Sequence, residues 1–179
     1  MTMYNPVRYF AGIGARRAPK EVLVDIFYYS QRLRKLGYVL RSGGADGCDT
    51  YFENGYLGFD DQKEIFKAKD VKPWAIEKVK NYLPEDYLPR GLVEFDNWGN
   101  HVKNLLGRNM QQLFGNDGGK PIDFIVCWTK SLNYPRSEVG GTGYALRCAL
   151  DHKIPIYNLV DPKQRDLLEG LLEAQERSS

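Results

Sequence analysis

Tyr38-Val39-Leu40-Arg41-Ser42-Gly43-Gly44-Ala45-Asp46-Gly47-Cys48-Asp49-Thr50-Tyr51-Phe52 runs from a short β-favouring segment, Tyr38 to Leu40, through a turn holding three glycines into an amphipathic segment. It reads as a strand, a glycine turn and a helix start. Such a turn lets backbone N–H groups approach an anion without interference from Cβ, and the free N–H groups and dipole of the following helix favour a phosphate. The same residues also describe a tight strand-to-helix connection with no ligand. In the liganded reading Ser42, Gly43 and Gly44 face phosphate. Asp46 is placed to cap the helix, with Asp49 in its first turn. Either carboxylate would then accept from a ribose or base donor, since facing a phosphate would be repulsive.

Upstream, Val7 to Ile13 is short and largely apolar, as a strand buried on both faces requires, and it ends in Gly12-Ile13-Gly14-Ala15-Arg16-Arg17. Pro19 to Leu36 then places Val22, Leu23, Ile26, Phe27, Leu33 and Leu36 at helical spacing, with Gly37 as terminator. Gly12 and Gly14 would allow close approach of a phosphate that Arg16 and Arg17 could grip bidentately. Two arginines on a turn are also simply solvated. The third glycine of a dinucleotide fingerprint is missing, its place being held by Arg17.

Downstream, Lys63 to Lys69 predicts a short strand near a sheet edge. Asp70 to Asn100 is cut by Pro73, Pro84 and Pro89 around a helix over Trp74 to Leu83, forming either a lid or a packing excursion. Its Trp74, Tyr82, Tyr87 and Trp98 either stack on a base or pack internally. Asn100 caps a predicted helix running to about Phe114, with Arg108 and Asn109 beside its apolar stripe. Ile122 to Trp128 is the clearest buried strand. Trp128 and Thr129 end it where a base could stack. A loop through Tyr134, Pro135 and Arg136 leads to Gly140-Gly141-Thr142-Gly143, read as a third glycine turn before a helix that ends near Lys153. Ile154 to Leu159 is a closing strand, Asp161-Pro162 opens a last helix, and Gln175 to Ser179 are expected to fray. The alternation gives an α/β fold: a mainly parallel sheet of about five strands with helices on both faces. Ligands of such sheets bind outside the strands' carboxyl ends, where the strand order reverses. All three glycine turns would open there together.

The length of 179 residues fits one domain, here 1–179 with an irregular insertion around 70–100. With 25 basic and 23 acidic residues the formal net charge is +2, so no overall electrostatic footprint for nucleic acid is present. Cys48, Cys127 and Cys148 are widely spaced and lack any ligand pattern, which points away from disulfides and zinc and toward a reducing cytoplasm. The N-terminus shows no signal-peptide pattern, and no apolar run approaches membrane-spanning length, so no membrane partner is expected.

Gly12 to Pro19, Ser42 to Asp49, Arg108-Asn109 and Gly140 to Gly143, in this order, resemble the Rossmann-like SLOG superfamily, which joins DNA-processing protein A to the LOG enzymes. The resemblance covers about residues 7 to 160. It implies a Rossmann-like fold with a nucleotide-phosphate pocket at the strand ends. LOG enzymes hydrolyse nucleoside monophosphates to base and ribose phosphate, DNA-processing protein A binds single-stranded DNA, and other members are thought to sense nucleotide-derived signals. In LOG enzymes the last motif runs Gly-Gly-x-Gly-Thr-x-x-Glu with a catalytic glutamate. Here Tyr144 stands for the threonine and Arg147 for the glutamate, leaving Glu138 as the substitute carboxylate if the chain is a hydrolase. The DNA-binding alternative rests on Arg16, Arg17, Arg41, Arg108, Arg136 and Arg147 as phosphate contacts. The favoured expectation is therefore a binder of an ADP-ribose-like or cyclic nucleotide signal that it does not turn over, with no cofactor and no metal. In it, Gly12, Gly14, Gly43, Gly44, Gly140, Gly141 and Gly143 shape the floor, Ser42 and Thr142 bind phosphate, Arg16 and Arg108 neutralise it, and Asp46 or Asp49 orients sugar or base. Small stand-alone members resemble bacteriophage proteins, which would make the chain a sequestering agent for a host immune signal. A tyrosine-rich surface and family habit point to a homo-oligomer.

Overall fold

The three central strands follow from largely apolar runs buried on both sides, the short strands at the two edges are only half-buried, and the sheet they form is parallel throughout. The computed structural model describes residues 5–83, 95–133 and 136–179, with the side chains of 136–140 excepted. The strands are β1 (Arg8–Gly14), β2 (Tyr38–Ser42), β3 (Lys63–Ile65), β4 (Phe124–Trp128) and β5 (Ile156–Asn158), in the order β3-β2-β1-β4-β5. The helices are α1 (Lys20–Lys35), α2 (Cys48–Asn54), α3 (Pro73–Asn81), α4 (Asn100–Phe114), α5 (Arg136–Asp151) and α6 (Pro162–Ser178). This is a Rossmann-like α/β fold. The chain winds outward from β1 to β2 and β3, then returns to place β4 on the other side of β1, so the order reverses between β1 and β4. There Gly14 pairs with Trp128, the last residue of each strand.

The period-two alternation of the strands divides the core between the two faces. Phe10, Leu40, Phe124 and Val126 meet α1, α2 and α6 through Ile26, Leu33, Phe52, Leu168 and Leu172. Ala11, Ile13, Ile125 and Cys127 meet α3, α4 and α5 through Val79, Met110, Leu113, Leu146 and Ala149. On the first face the Phe10 ring lies 6.1–6.4 Å from the rings of Tyr38, Phe52, Tyr56 and Phe124, edge-on to the first two, tilted to the third and stacked with the last.

Local capping differs from expectation at two helices. Gly47, not Asp46, holds the cap position of α2, and Gly99, in an extended conformation, holds that of α4, leaving Asn100 as the first helical residue. Asp161 does cap α6, accepting from the Lys163 backbone N–H at 3.0 Å. The C-terminal turn expected to fray is instead helical to Ser178. Gln175 secures it: its amide oxygen accepts from Arg8 Nη1 at 2.9 Å, and its amide nitrogen donates to the Tyr38 hydroxyl at 2.9 Å. Of the aromatics in the irregular stretch, Trp74, Tyr82 and Trp98 pack against the core shared by α3, α4 and α5, while Tyr87 lies outside the described residues. Among the described residues no helix is long and apolar enough to cross a membrane.

Candidate functional site

At the point of strand-order reversal a cavity of about 860 Å³ opens between the β1–α1 connection, α2, α4, the end of β4 and α5. Its position follows from topology, because connections leave β1 and β4 toward opposite faces and cannot fill the gap between them. The walls include Gly14, Arg16, Arg17, Ala45, Asp49, Arg108, Asn109, Trp128, Thr129, Gly141 and Thr142. Leu105, Gln112 and Lys130, which were not among the expected site residues, line it too. Leu105 and Gln112 stand three residues before and four after Arg108, so all three fall on one face of α4. That spacing was readable, and so was the place of Lys130, two residues past the end of β4.

The connection after β1 is fixed on both sides by backbone bonds. Ala15 N–H donates to the Trp128 carbonyl at 3.1 Å, and Cys48 N–H donates to the Ala15 carbonyl at 3.2 Å. Gly14 is required because a Cβ there would lie 2.7 Å from Cys48 Sγ and 2.8 Å from the Trp128 carbonyl oxygen. Arg16 and Arg17 emerge from this anchored loop with exposed side chains at the mouth of the cavity.

Several expected phosphate contacts are committed elsewhere. Gly12 is not part of the wall: a Cβ there would meet the Phe52 ring at 2.4–2.9 Å, so this glycine lets α2 approach β1. Ser42 is fully buried and its hydroxyl donates to the Gly12 carbonyl at 2.6 Å, across the β2–β1 pair. Arg41 is buried under the sheet with Nε on Glu64 Oε1 at 2.7 Å, Nη1 on the Lys120 carbonyl, and its guanidinium over the Tyr9 ring. Gly43, Gly44 and Asp46 do not line the cavity, and Asp46 is exposed to solvent. Thr129 is buried, donating its hydroxyl to the Ser131 carbonyl and accepting from Asn158 Nδ2, both at 2.6 Å.

The third glycine motif is not a turn. Gly140, Gly141, Thr142 and Gly143 all lie inside α5, which begins at Arg136. Two of them tie α5 to its neighbours instead. Asn109, buried on α4, donates Nδ2 to the Gly141 carbonyl at 2.9 Å, and Thr142 donates Oγ1 to the Gly14 carbonyl at 3.3 Å. The surroundings of Gly140 and the side chains of Arg136 and Glu138 lie outside the described residues. Tyr144, at the threonine position of the LOG motif, is buried and donates its hydroxyl to the Tyr82 carbonyl at 2.8 Å.

Asp49 gives the site its electrostatic character. Its side chain is buried, 4% exposed, and Oδ2 accepts from the Ala45 backbone N–H at 3.3 Å. Desolvation pushes its carboxyl up to about 6, against the opposing pull of the Ala45 and Gly43 N–H groups, Arg108 and Arg16. The same burial pushes the Arg108 guanidinium down, while Asp49 holds it up. Gly43 has no Cβ because Gln112 Nε2, Arg108 Cζ and Asp49 Oδ2 would lie 2.5–3.0 Å from it. Among the described residues Arg108 Nε is buried with no hydrogen-bond partner, a donor facing an unmet requirement of about 1–3 kcal/mol. The anion-binding N–H groups of the β2–α2 turn are therefore occupied by the chain's own carboxylate.

These commitments separate structural from ligand-facing groups. Ser42→Ala is expected to cost about 1 kcal/mol of stability, the net value of its buried hydrogen bond, and to leave the affinity of any cavity ligand unchanged. Urea denaturation and a binding titration on the same variant check both parts.

No family model matches the chain, and neither does any curated protein. Among solved structures it is similar to DNA processing protein A from Helicobacter pylori, described for its unique single-stranded DNA binding mode. Identity is 15%, covering 93% of this chain and 81% of that one, with a TM-score of 0.39.

Proposed function

We propose that the chain binds a phosphorylated nucleotide or nucleotide-derived signal, of the ADP-ribose-like or cyclic-nucleotide kind, at the carboxyl ends of β1 and β4 and does not turn it over. The observation that carries this reading is the cavity at the strand-order reversal, walled by Arg16, Arg17, Arg108 and Lys130 together with the indole of Trp128. Among the described residues four cations stand against one carboxylate, which favours an anion, an indole offers a face to a base, and the volume accommodates a nucleotide. Sequestering a signal asks for no more than this. The reading extends to a phage protein that withholds a host immune signal.

Small molecules released from the purified protein by denaturation, identified by mass spectrometry, test the proposal together with a thermal-shift panel. The panel holds nucleoside monophosphates, ADP-ribose, cyclic nucleotides and short single-stranded DNA. Intact nucleotide with a large shift is expected. Free base accumulating at enzymatic rates would replace the proposal with a phosphoribohydrolase, and a shift with DNA alone would replace it with a strand-binding protein. The hydrolase reading has one observation in its favour, a buried cavity carboxyl held near neutrality at Asp49. Arg108→Ala should weaken nucleotide binding by about 1.5–3 kcal/mol, the range for a hydrogen bond to a charged group, as read by calorimetry.

A further inference from the structure

Taking the nucleotide-binding reading as given, we infer that the ligand enters nucleoside first: its sugar or base gives a donor to Asp49 and an acceptor to Arg108 at the cavity floor, and its phosphates remain at the mouth among Arg16, Arg17 and Lys130.

The charge layout carries the inference. At the floor Asp49 is buried and Arg108 Nε is buried without a partner among the described residues, so this end offers a carboxylate and a guanidinium whose formal charges cancel. At the mouth Arg16, Arg17 and Lys130 are all exposed, and they carry the site's excess positive charge. A phosphate on the floor would lie against the Asp49 carboxylate, and the turn N–H groups that could hold it already face that carboxylate. A hydroxyl pair or a base edge presents a donor and an acceptor side by side and meets both requirements at once. Gln112 adds an amide beside them, its Nε2 lying within 2.5 Å of where a Gly43 Cβ would stand. Trp128, half-buried in the wall, is placed to flank the base. Because the phosphates point outward, whatever is attached beyond them is unrestricted, so nucleoside diphosphates and dinucleotides are admitted along with monophosphates. Selectivity then resides in the nucleoside.

The test is calorimetry of the full chain with the four common nucleoside 5′-monophosphates, ribose 5-phosphate and inorganic pyrophosphate as probes. The best monophosphate is expected to bind at least tenfold tighter than ribose 5-phosphate or pyrophosphate. Asp49→Asn should weaken it about tenfold or more without altering the dependence of affinity on salt, whereas Arg17→Ala combined with Lys130→Ala should flatten that dependence. Circular dichroism and thermal melting establish that each variant is folded. If Asp49→Asn leaves affinity unchanged or raises it, or if pyrophosphate competes as well as the monophosphate, the phosphate occupies the floor and the inference is overturned. If no nucleotide binds the unmodified chain, the nucleotide reading itself falls, and this orientation falls with it.

Discussion

Gly47→Ala is expected to remove about 3–4 kcal/mol of stability by forcing the β1–α1 connection away from α2. Gly47 has φ +82, where a Cβ is strained, and that Cβ would lie 2.3 Å from the Arg16 carbonyl oxygen and 2.7 Å from that of Ala15. Both obstructing groups are backbone. The segment cannot retreat without loosening the bonds that Ala15 makes to Trp128 and Cys48, so strain and lost hydrogen bonds add. Gly44 provides the comparison: φ is +66, but the nearest atom to an added Cβ is Ile65 Cγ2 at 3.2 Å, on a side chain that can give way. Gly44→Ala should therefore cost only about 1 kcal/mol. Urea denaturation of the two variants ranks them, and equal midpoints would show that the β1–α1 connection is not held against α2.

That contrast also shows where sequence pattern stops being informative. The buried run ending at Trp128 and the apolar stripe from Asn100 to Phe114 announced β4 and α4, because burial on two faces and on one face leave different periodicities in the chain itself. The glycines carried no such label. Gly12, Gly14 and Gly43 are expected from sequence to make room for a ligand, and each also makes room for another part of the chain: the Phe52 ring, Cys48 and the Trp128 carbonyl, and the Arg108–Asp49–Gln112 group. Those partners are distant in sequence or lie across a turn, so only the assembled sheet identifies them. Gly140 to Gly143 failed for a related reason. Glycine predicts a turn by local conformation, but here Gly140 to Gly143 continue α5, where the Gly141 carbonyl accepts from Asn109 and Thr142 donates to Gly14. Arg16, Arg17, Asp49, Arg108 and Trp128 were anticipated as a group and do share one cavity. Ser42 was anticipated with them and does not, since its partner is the neighbouring strand.

Relative to its effect at about pH 4, Asp49→Asn should stabilise the protein increasingly as pH rises, by about 3 kcal/mol once pH has passed about 6. The sign follows from the direction of the shift. Burial raises the folded-state carboxyl from 3.8 to about 6, so the native protein holds this proton more tightly than the unfolded chain does. Its contribution is fully present below about pH 4, declines as pH rises, and is gone once pH passes the folded value. Chemical denaturation of both proteins from pH 4 to 7.5 should show curves that diverge between about pH 4 and 6 and run parallel above it; parallel curves throughout would mean that Asp49 is not buried as described. Asparagine keeps an oxygen for the Ala45 N–H, so the difference isolates the charge. A carboxyl that burial raises, lining a cavity beside an Arg108 Nε without a partner among the described residues, is consistent with the proposed ligand role. A ligand donor stabilises the ionised form, so affinity for a free nucleoside, which has no phosphate to titrate, should rise as pH increases through about 6, with the facing Arg108 and Arg16 cations favouring the same ionised form and the neighbouring Cys48 thiol staying neutral. An anion seated at the floor would require Asp49 to be protonated and would bind more weakly over the same interval, so the slope of one titration separates the two arrangements.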